Sequence, residues 1–170
     1  MLRGSGKTTW AKNQLRKKSD IHISRDEIRF SLLQKGEDYF AHEQEVFDTF
    51  VNHITSALLD TESYRIFADA SHLNYKSRMK LINALKGRVN FNNIDINYIW
   101  MYMTLETCLK RNANRKGRAF VPESIIKKMY QSQQEPEIDE PVKRVYIVNE
   151  HRQCIDIKFM DAKDANNFEF

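Results

Sequence analysis

The feature that most constrains this chain is a short string rich in glycine, lysine and threonine close to its first residue. The string consists of Gly4, Ser5, Gly6, Lys7, Thr8 and Thr9. Glycines allow a loop to turn its backbone N–H groups inward around phosphate oxygens, and the N-terminus of a following helix adds partial positive charge. The string matches the second half of the P-loop pattern G-x-x-x-x-G-K-S/T and runs directly into a helical pattern. All six residues are therefore expected to bind the phosphates of a nucleotide.

Two side chains of this loop have specific expected roles. Lys7 is expected to reach the β- and γ-phosphates of ATP, and the hydroxyl of Thr8 is expected to ligate Mg²⁺. ATP and Mg²⁺ are therefore the expected cofactors. The alternative is a glycine-rich turn that does no more than cap an ordinary helix.

Beyond the loop, the apolar residues alternate between helical and strand periods, as α/β proteins require. Helices are predicted at residues 8–18, 26–34, 42–60, 76–86, 104–112 and 122–134, and strands at 21–24, 64–68, 94–103, 144–148 and 154–159. This order predicts a doubly wound parallel sheet between helices, of the P-loop kinase kind, with a strand added at the C-terminal end. A length of 170 residues fits one domain, 1–170.

One element of that fold is missing from the sequence. The first position of the P-loop pattern is Met1 instead of glycine, and only three residues precede Gly4, whereas strands usually have about five or six. Since this strand normally lies in the middle of the sheet, we expect a central gap beside the loop. The favoured explanation is a natural start that lies upstream. The alternatives are that another segment, such as 154–159, fills the gap, or that the sheet stays open.

Composition narrows the setting of the protein. The two cysteines, Cys108 and Cys154, show no metal-like spacing, and there is neither a signal peptide nor an apolar run of about 18 residues. A cytoplasmic protein without a membrane partner is therefore expected. The net charge of +4 is weak evidence for an anionic partner.

Charged residues follow two of the predicted strands. Asp26 and Arg29 come shortly after strand 21–24, and Asp69 ends strand 64–68. Carboxylates there lie at the rim where doubly wound sheets bind ligands, and phosphoryl transfer needs a group that orients the nucleophile. Arg29 lies three residues after Asp26 and so shares its helix face. The alternative role for Asp26 is to cap the following helix.

A basic segment follows strand 94–103. Residues 110–118 carry five basic side chains and no acidic one, and they precede a helix that begins at Pro122. P-loop kinases place a lid over the phosphates in this position, which gives an expected lid at about 111–121. The alternative is a solvated charged face.

Together these motifs resemble the 5′-hydroxyl polynucleotide kinases of bacteriophage end-repair systems. The resemblance runs from the P-loop to about Tyr146 and rests on the loop, on 25–29, on Asp69 with Asn74 and Arg78, and on 110–115 with Val121-Pro122.

The resemblance implies a role for each of these residues. Asp26 would be the general base, and Arg29 would grip the phosphate next to the reacting hydroxyl. Asp69 and Asn74 would help to order the acceptor site. Arg115, and after it Arg111, would neutralise charge on the transferred phosphate.

The expected function is therefore ATP-dependent phosphorylation of 5′-hydroxyl ends of DNA or RNA. Two alternatives stay open: a small-molecule or zeta-toxin-like P-loop kinase, and a catalytically impaired module that binds nucleic-acid ends. The sequence does not favour DNA over RNA and does not indicate an oligomeric state.

Overall fold

The structure is a computed structural model that describes residues 4–60, 62–117, 120–137 and 139–159. Every predicted helix and strand is present within these residues, with ends shifted by a few positions. The elements are α1 (Lys7–Gln14), β1 (Asp20–Ser24), α2 (Arg25–Leu32), α3 (Glu43–Leu59), β2 (Arg65–Asp69), α4 (Tyr75–Lys86), β3 (Asn97–Met101), α5 (Leu105–Ala113), α6 (Glu123–Gln131), β4 (Arg144–Val148) and β5 (Cys154–Phe159).

Strand pairing confirms the α/β class. β1 pairs in parallel with β2, so that Asp20 lies opposite Arg65 and Ser24 opposite Asp69. β3 pairs in parallel with β4, and β5 adds to β4 in the antiparallel direction. Each parallel pair places the carboxyl ends of its two strands at the same edge of its own sheet. Such edges are where α/β folds bind their ligands.

The described strands form two sheets, β1–β2 and β3–β4–β5, instead of one continuous sheet. The sequence predicts such an interruption at the position of the strand before the P-loop, and residues 1–3 lie outside the described residues. The segment 154–159, one alternative occupant of that position, pairs with β4 instead.

The chain groups into two compact units. The first contains the described residues of 1–7, 71–80 and 91–170, and the second contains those of 8–70 and 81–90. In the second unit, α3 supplies the largest part of the core and packs on α2, β1 and β2. Its buried residues recur at helical spacing: Val46, Phe47, Phe50, Val51, Ile54 and Ala57.

The end of α1 shows how a single carboxylate sets an element boundary. Asp20 accepts hydrogen bonds from the backbone N–H groups of Arg16 and Lys17, at 2.8 and 3.1 Å. A side chain that binds these N–H groups competes with continuation of the helix, and α1 stops at Gln14 instead of residue 18. The side-chain hydrogen bond from Arg65, followed by these backbone bonds, holds the pKa of Asp20 well below its usual range.

Buried apolar residues of the first unit lie on strands β3 and β4 and on helices α5 and α6, and α5 packs on α6. They include Trp100, Met101, Cys108, Ile126, Val145 and Val148. The side chain of Asn112 is buried and bonds both the N–H and the carbonyl of Val121, at 3.1 and 2.7 Å. This pair of bonds fixes Val121 against the last turn of α5. Among the described helices of both units, none is long and apolar enough to cross a membrane.

A buried ion pair ties α4 to the segment before β4. Arg78 donates to both carboxylate oxygens of Glu140, at 2.7 and 2.5 Å, and to the carbonyls of Gln134 and Glu135. Burial raises the pKa of the Glu140 carboxyl, but the hydrogen bonds from Arg78 and from the N–H of Glu137 outweigh burial and leave the pKa lowered. The pair therefore stabilises the fold fully above the unfolded-state carboxyl pKa, and this contribution is lost as pH falls through the lower folded-state value.

Replacing Arg78 by alanine is expected to destabilise the protein by about 3–5 kcal/mol, because the change leaves the Glu140 carboxylate buried without its counter-ion. Urea unfolding at neutral pH measures the loss. The double variant Arg78→Met/Glu140→Leu should recover most of it, since no unpaired charge then stays in the interior. A loss below about 1 kcal/mol for the single variant would contradict this role.

Candidate functional site

The P-loop has the backbone geometry that its glycines predict. Gly4 and Gly6 both have φ of +87°, in the left-handed region that other residues avoid. A Cβ atom at Gly4 would lie 2.8 Å from the carbonyl oxygen of Cys108 on α5. The loop is therefore wound closely against α5, and the side chain of Ser5 is fully buried within it.

Two arginines lie beside this loop. Arg111, at the end of α5, donates to the carbonyl of Ser5 at 3.2 Å and to the carbonyl of Glu150 at 2.8 Å. Its guanidinium therefore braces the loop and brings a positive charge to it. Nε of Arg152 would lie 3.8 Å from a Cβ at Gly6, and Arg152 has a φ of +67°, which is strained for arginine.

Arg152 is a residue that sequence analysis missed. It lies in the turn between β4 and β5, far along the chain from the loop, and its neighbours show no phosphate-binding pattern. A positive φ and proximity to Gly6 are visible only once the chain is folded.

Lys7 and Thr8 begin α1, with Lys7 half-buried at the first helical position. Within the second unit, the hydroxyl of Thr8 donates to Oδ2 of Asp69 at 2.5 Å. Nε2 of His22, from the adjacent strand β1, lies 3.2 Å from the same oxygen. The side chains of Asp69 and His22 are almost fully buried, at 3% and 6% exposed.

The structure adds a contact to Asp69, whose expected role at the acceptor site stays a prediction. Asp69 is the last residue of β2, as expected, and the structure brings its carboxylate to the hydroxyl of Thr8. P-loop enzymes hold Mg²⁺ with the loop Ser/Thr and an aspartate at a strand end. Thr8 and Asp69 therefore supply the hard oxygen donors that this ion prefers.

Asp26 lies at the start of α2 in a hydrogen-bonded cluster. Its Oδ1 accepts from Tyr39 Oη at 2.6 Å and from Arg29 Nη1 at 3.1 Å, and Arg29 Nη1 also donates to Tyr39 Oη at 2.9 Å. The expected common face of Asp26 and Arg29 is therefore present. The Asp26 side chain is 38% exposed, so that an acceptor can reach it.

The alternative role for Asp26, a helix cap, belongs to another residue. Ser24 is the N-cap of α2, and its hydroxyl oxygen accepts from the N–H of Glu27 at 3.3 Å. Asp26 is therefore not the residue that caps α2.

A third charged residue, Glu43, completes the cluster. Its two carboxylate oxygens accept from Arg25 Nη2 and Arg29 Nη2 respectively. Arg29 is 5% exposed, and its guanidinium lies 4.4 Å from the centre of the Tyr39 ring. Burial lowers the pKa of the Arg25 guanidinium, and the charge of Glu43 opposes that effect. Tyr39 and Glu43 were not among the sequence-predicted site residues because neither stands in a recognisable motif.

The remaining predicted residues have local contacts. Asn74 precedes α4, where its Oδ1 accepts from the N–H of Ser77 at 3.0 Å, so it caps that helix. Arg115 follows α5 and is half-buried, with its backbone N–H bonded to the carbonyl of Asn112. Residues 118 and 119 of the expected lid lie outside the described residues. The catalytic roles of Arg115 and Asn74 stay predictions.

Comparison with known proteins agrees with this geometry. A family model described as "AAA domain" matches residues 2–136, which is most of the chain. An unliganded crystal structure of a sugar kinase from Janibacter sp. is similar in structure, with a TM-score of 0.60 and 16% sequence identity. The similarity covers 89% of this chain and 83% of that chain, and it shows a shared fold. The chain belongs to the AAA domain family, because the family model matches most of its length. It has the fold of a P-loop kinase.

Proposed function

We propose that this protein transfers the γ-phosphate of ATP to the 5′-hydroxyl end of DNA or RNA. The observation that carries the proposal is the Asp26 cluster, in which a reachable carboxylate is held by a buried arginine and a tyrosine hydroxyl. Phosphoryl transfer to a hydroxyl that lies near a phosphate requires a base for the hydroxyl's proton and a fixed positive charge for that phosphate.

On the donor side, the residues present fit ATP and Mg²⁺. The left-handed glycines Gly4 and Gly6 allow a phosphate cradle, and Lys7 begins the helix that follows it. Thr8 and Asp69 would hold Mg²⁺ through their oxygen atoms. The ion, when bound, neutralises charge on the phosphate oxygens. Arg111 and Arg152, beside the loop, would supply further positive charge to the phosphates.

On the acceptor side, Asp26 would take the proton of the attacking hydroxyl as its oxygen bonds to the γ-phosphorus and ADP leaves. Tyr39 and Arg29 would orient the carboxylate through their hydrogen bonds to its Oδ1. No covalent intermediate is needed. The buried thiol of Cys108 is a poor nucleophile because burial raises its pKa.

The acceptor class follows from Arg29 and from the resemblance to phage polynucleotide kinases. If Arg29 contacts the phosphate next to the reacting hydroxyl, a nucleoside 3′-monophosphate should be a better acceptor than the nucleoside, by about tenfold or more in kcat/KM. The variant Arg29→Ala should reduce the difference to near unity. Transfer to oligonucleotides should also weaken as salt rises. Equal kcat/KM for the two acceptors in the unmodified protein would argue against a polynucleotide acceptor.

A small-molecule kinase is the second candidate. It is favoured by the pairing of Arg25 and Arg29 with Glu43, since a neutral polyol acceptor would leave those ion pairs intact. The name of the similar sugar kinase describes that protein alone and adds only a reason to include sugars in the test. A competition assay that offers oligonucleotides, nucleosides and sugars together separates the two candidates, and we expect the oligonucleotide to be phosphorylated preferentially.

An impaired end-binding module is the third candidate, and the separation of the described strands into two sheets is the observation that favours it. An ATP titration distinguishes it from both kinases. A kinase should bind ATP more tightly when Mg²⁺ is present, because Thr8 and Asp69 would then hold the ion next to the phosphates. If the unmodified protein binds ATP equally with and without Mg²⁺, or does not bind it, the result would support the binding module.

A further inference from the structure

We propose that Glu43 is an internal competitor for the acceptor's phosphate, so that it weakens the binding of acceptors that carry a phosphate next to their reacting hydroxyl. The inference rests on the proposed function only in placing the anion on an acceptor of phosphoryl transfer. The ligand class is a hydroxyl compound that carries a phosphate monoester or diester beside the hydroxyl.

The contacts of Glu43 are those that a phosphate group would make. Its two oxygens accept from two different guanidinium groups, those of Arg25 and Arg29. Arginine binds carboxylate and phosphate with the same planar donor geometry, so the two anions can replace each other at such a site. The carboxylate therefore stands where an acceptor phosphate would have to bind.

The two arginines still have donor capacity. The Nε–H groups of Arg25 and Arg29 are buried and have no hydrogen-bond partner among the described residues. A carboxylate offers two oxygens, whereas a phosphate offers three or more and a larger charge. An incoming phosphate could therefore satisfy these arginines more fully than Glu43 does.

Glu43 can leave this position when a phosphate replaces it. It is the first residue of α3, and its side chain is 42% exposed, in contrast to 6% for the side chain of Arg29. The charge of the buried Arg29 stays compensated because the incoming phosphate takes the place of the carboxylate. An acidic residue in the first turn of a helix stays favourable after it rotates into solvent. Arg29 keeps its hydrogen bonds to Asp26 and Tyr39 when Glu43 moves.

This competition acts only on acceptors that carry a phosphate. An acceptor with a phosphate displaces Glu43 and gains two arginine contacts, whereas a neutral acceptor leaves the ion pairs in place and gains nothing from them. Glu43 thereby weakens phosphate binding, so that an acceptor bound through its phosphate alone dissociates quickly.

The test measures binding, so that it can be read whether or not transfer occurs. Thymidine 3′-monophosphate and thymidine are titrated calorimetrically into the unmodified protein, Glu43→Gln, Glu43→Asp and Glu45→Gln. Only binding that Arg29→Ala removes is counted, which excludes phosphate bound at the P-loop. Glu45→Gln is the matched control, since it removes one negative charge from the same helix turn, where Glu45 contacts His42. Glu43→Asp keeps the charge but is too short to bridge both arginines, and circular dichroism checks the fold of each variant.

We expect Glu43→Gln and Glu43→Asp to lower the Kd for thymidine 3′-monophosphate by about three- to tenfold, while Glu45→Gln changes it less than twofold. The affinity for thymidine should be the same in all variants. Equal or weaker binding of the monophosphate by both Glu43 variants, or the absence of any Arg29-dependent binding, would overturn the inference. Failure to phosphorylate 5′-hydroxyl oligonucleotides would refute the proposed function separately and would leave the titration valid.

Discussion

The variant Lys7→Ala is expected to lose phosphoryl transfer by at least about a thousandfold while it keeps its fold. The reason is that Lys7 would place its ammonium group on the β- and γ-phosphates, where negative charge changes most during transfer. Its position at the start of α1, directly after the left-handed Gly6, is the one that a P-loop lysine requires. Steady-state transfer with saturating ATP and Mg²⁺ measures the effect.

Lys12→Ala is the matched control for this change. Lys12 lies on the same helix, is 53% exposed and pairs with Glu27 at 2.9 Å, so its loss removes an equal charge away from the loop. Transfer by this variant should stay within about twofold of the unmodified protein. Activity of Lys7→Ala above a tenth of the original rate would show that the loop does not hold the donor.

The variant Asp26→Asn is expected to lower kcat by about 10²- to 10⁴-fold, which is the usual contribution of a general base. Asparagine has the same shape, and its carbonyl oxygen can still accept from Tyr39 and Arg29, so the cluster should keep its geometry. The KM for the acceptor should change little. Single-turnover transfer with the acceptor in excess isolates the chemical step.

The neighbouring residue Glu27 provides the control for Asp26. Glu27 is 58% exposed and bonds Lys12, so Glu27→Gln removes a carboxylate from the same helix turn without touching the cluster. Its rate should match that of the unmodified protein. Full activity of Asp26→Asn would remove the general-base role, whatever the result for Glu27.

The elements of the fold were predictable because their signals are local. The buried residues of α3 recur at helical spacing. The sequences of β4 and β5 are rich in the apolar residues typical of strands. Boundaries were less predictable where a side chain distant from the boundary intervenes. The carboxylate of Asp20 ends α1 early. β3 begins only at Asn97, and the N–H of Ile94 bonds the carbonyl of Phe91 at 3.0 Å instead of a neighbouring strand.

In α6, Ile126 is buried whereas Ile125 and Tyr130 are exposed at 38% and 40%. A nine-residue helix that packs on few neighbours buries a narrow stripe. The apolar character of a residue therefore does not show whether it lies inside the buried stripe or outside it.

The candidate site was predictable where residues follow a motif and unpredictable where folding brings distant segments together. Asp26 and Arg29 are three positions apart on one helix, so their contact follows from spacing. Thr8 and Asp69 are 61 positions apart, and only the pairing of β1 with β2 and the position of α1 explain their hydrogen bond. Glu43 reaches Arg25 and Arg29 from a separate helix, which no local pattern encodes.

The central claim is that this chain is a P-loop kinase that acts on 5′-hydroxyl nucleic-acid ends. The most direct measurement is transfer of label from γ-labelled ATP to an oligonucleotide with a 5′-hydroxyl, in parallel with the same oligonucleotide already phosphorylated at its 5′ end. The account predicts Mg²⁺-dependent label on the first oligonucleotide, none on the second, and loss of the label with Lys7→Ala. Absence of label on the 5′-hydroxyl oligonucleotide, under conditions in which the protein binds ATP, would contradict it.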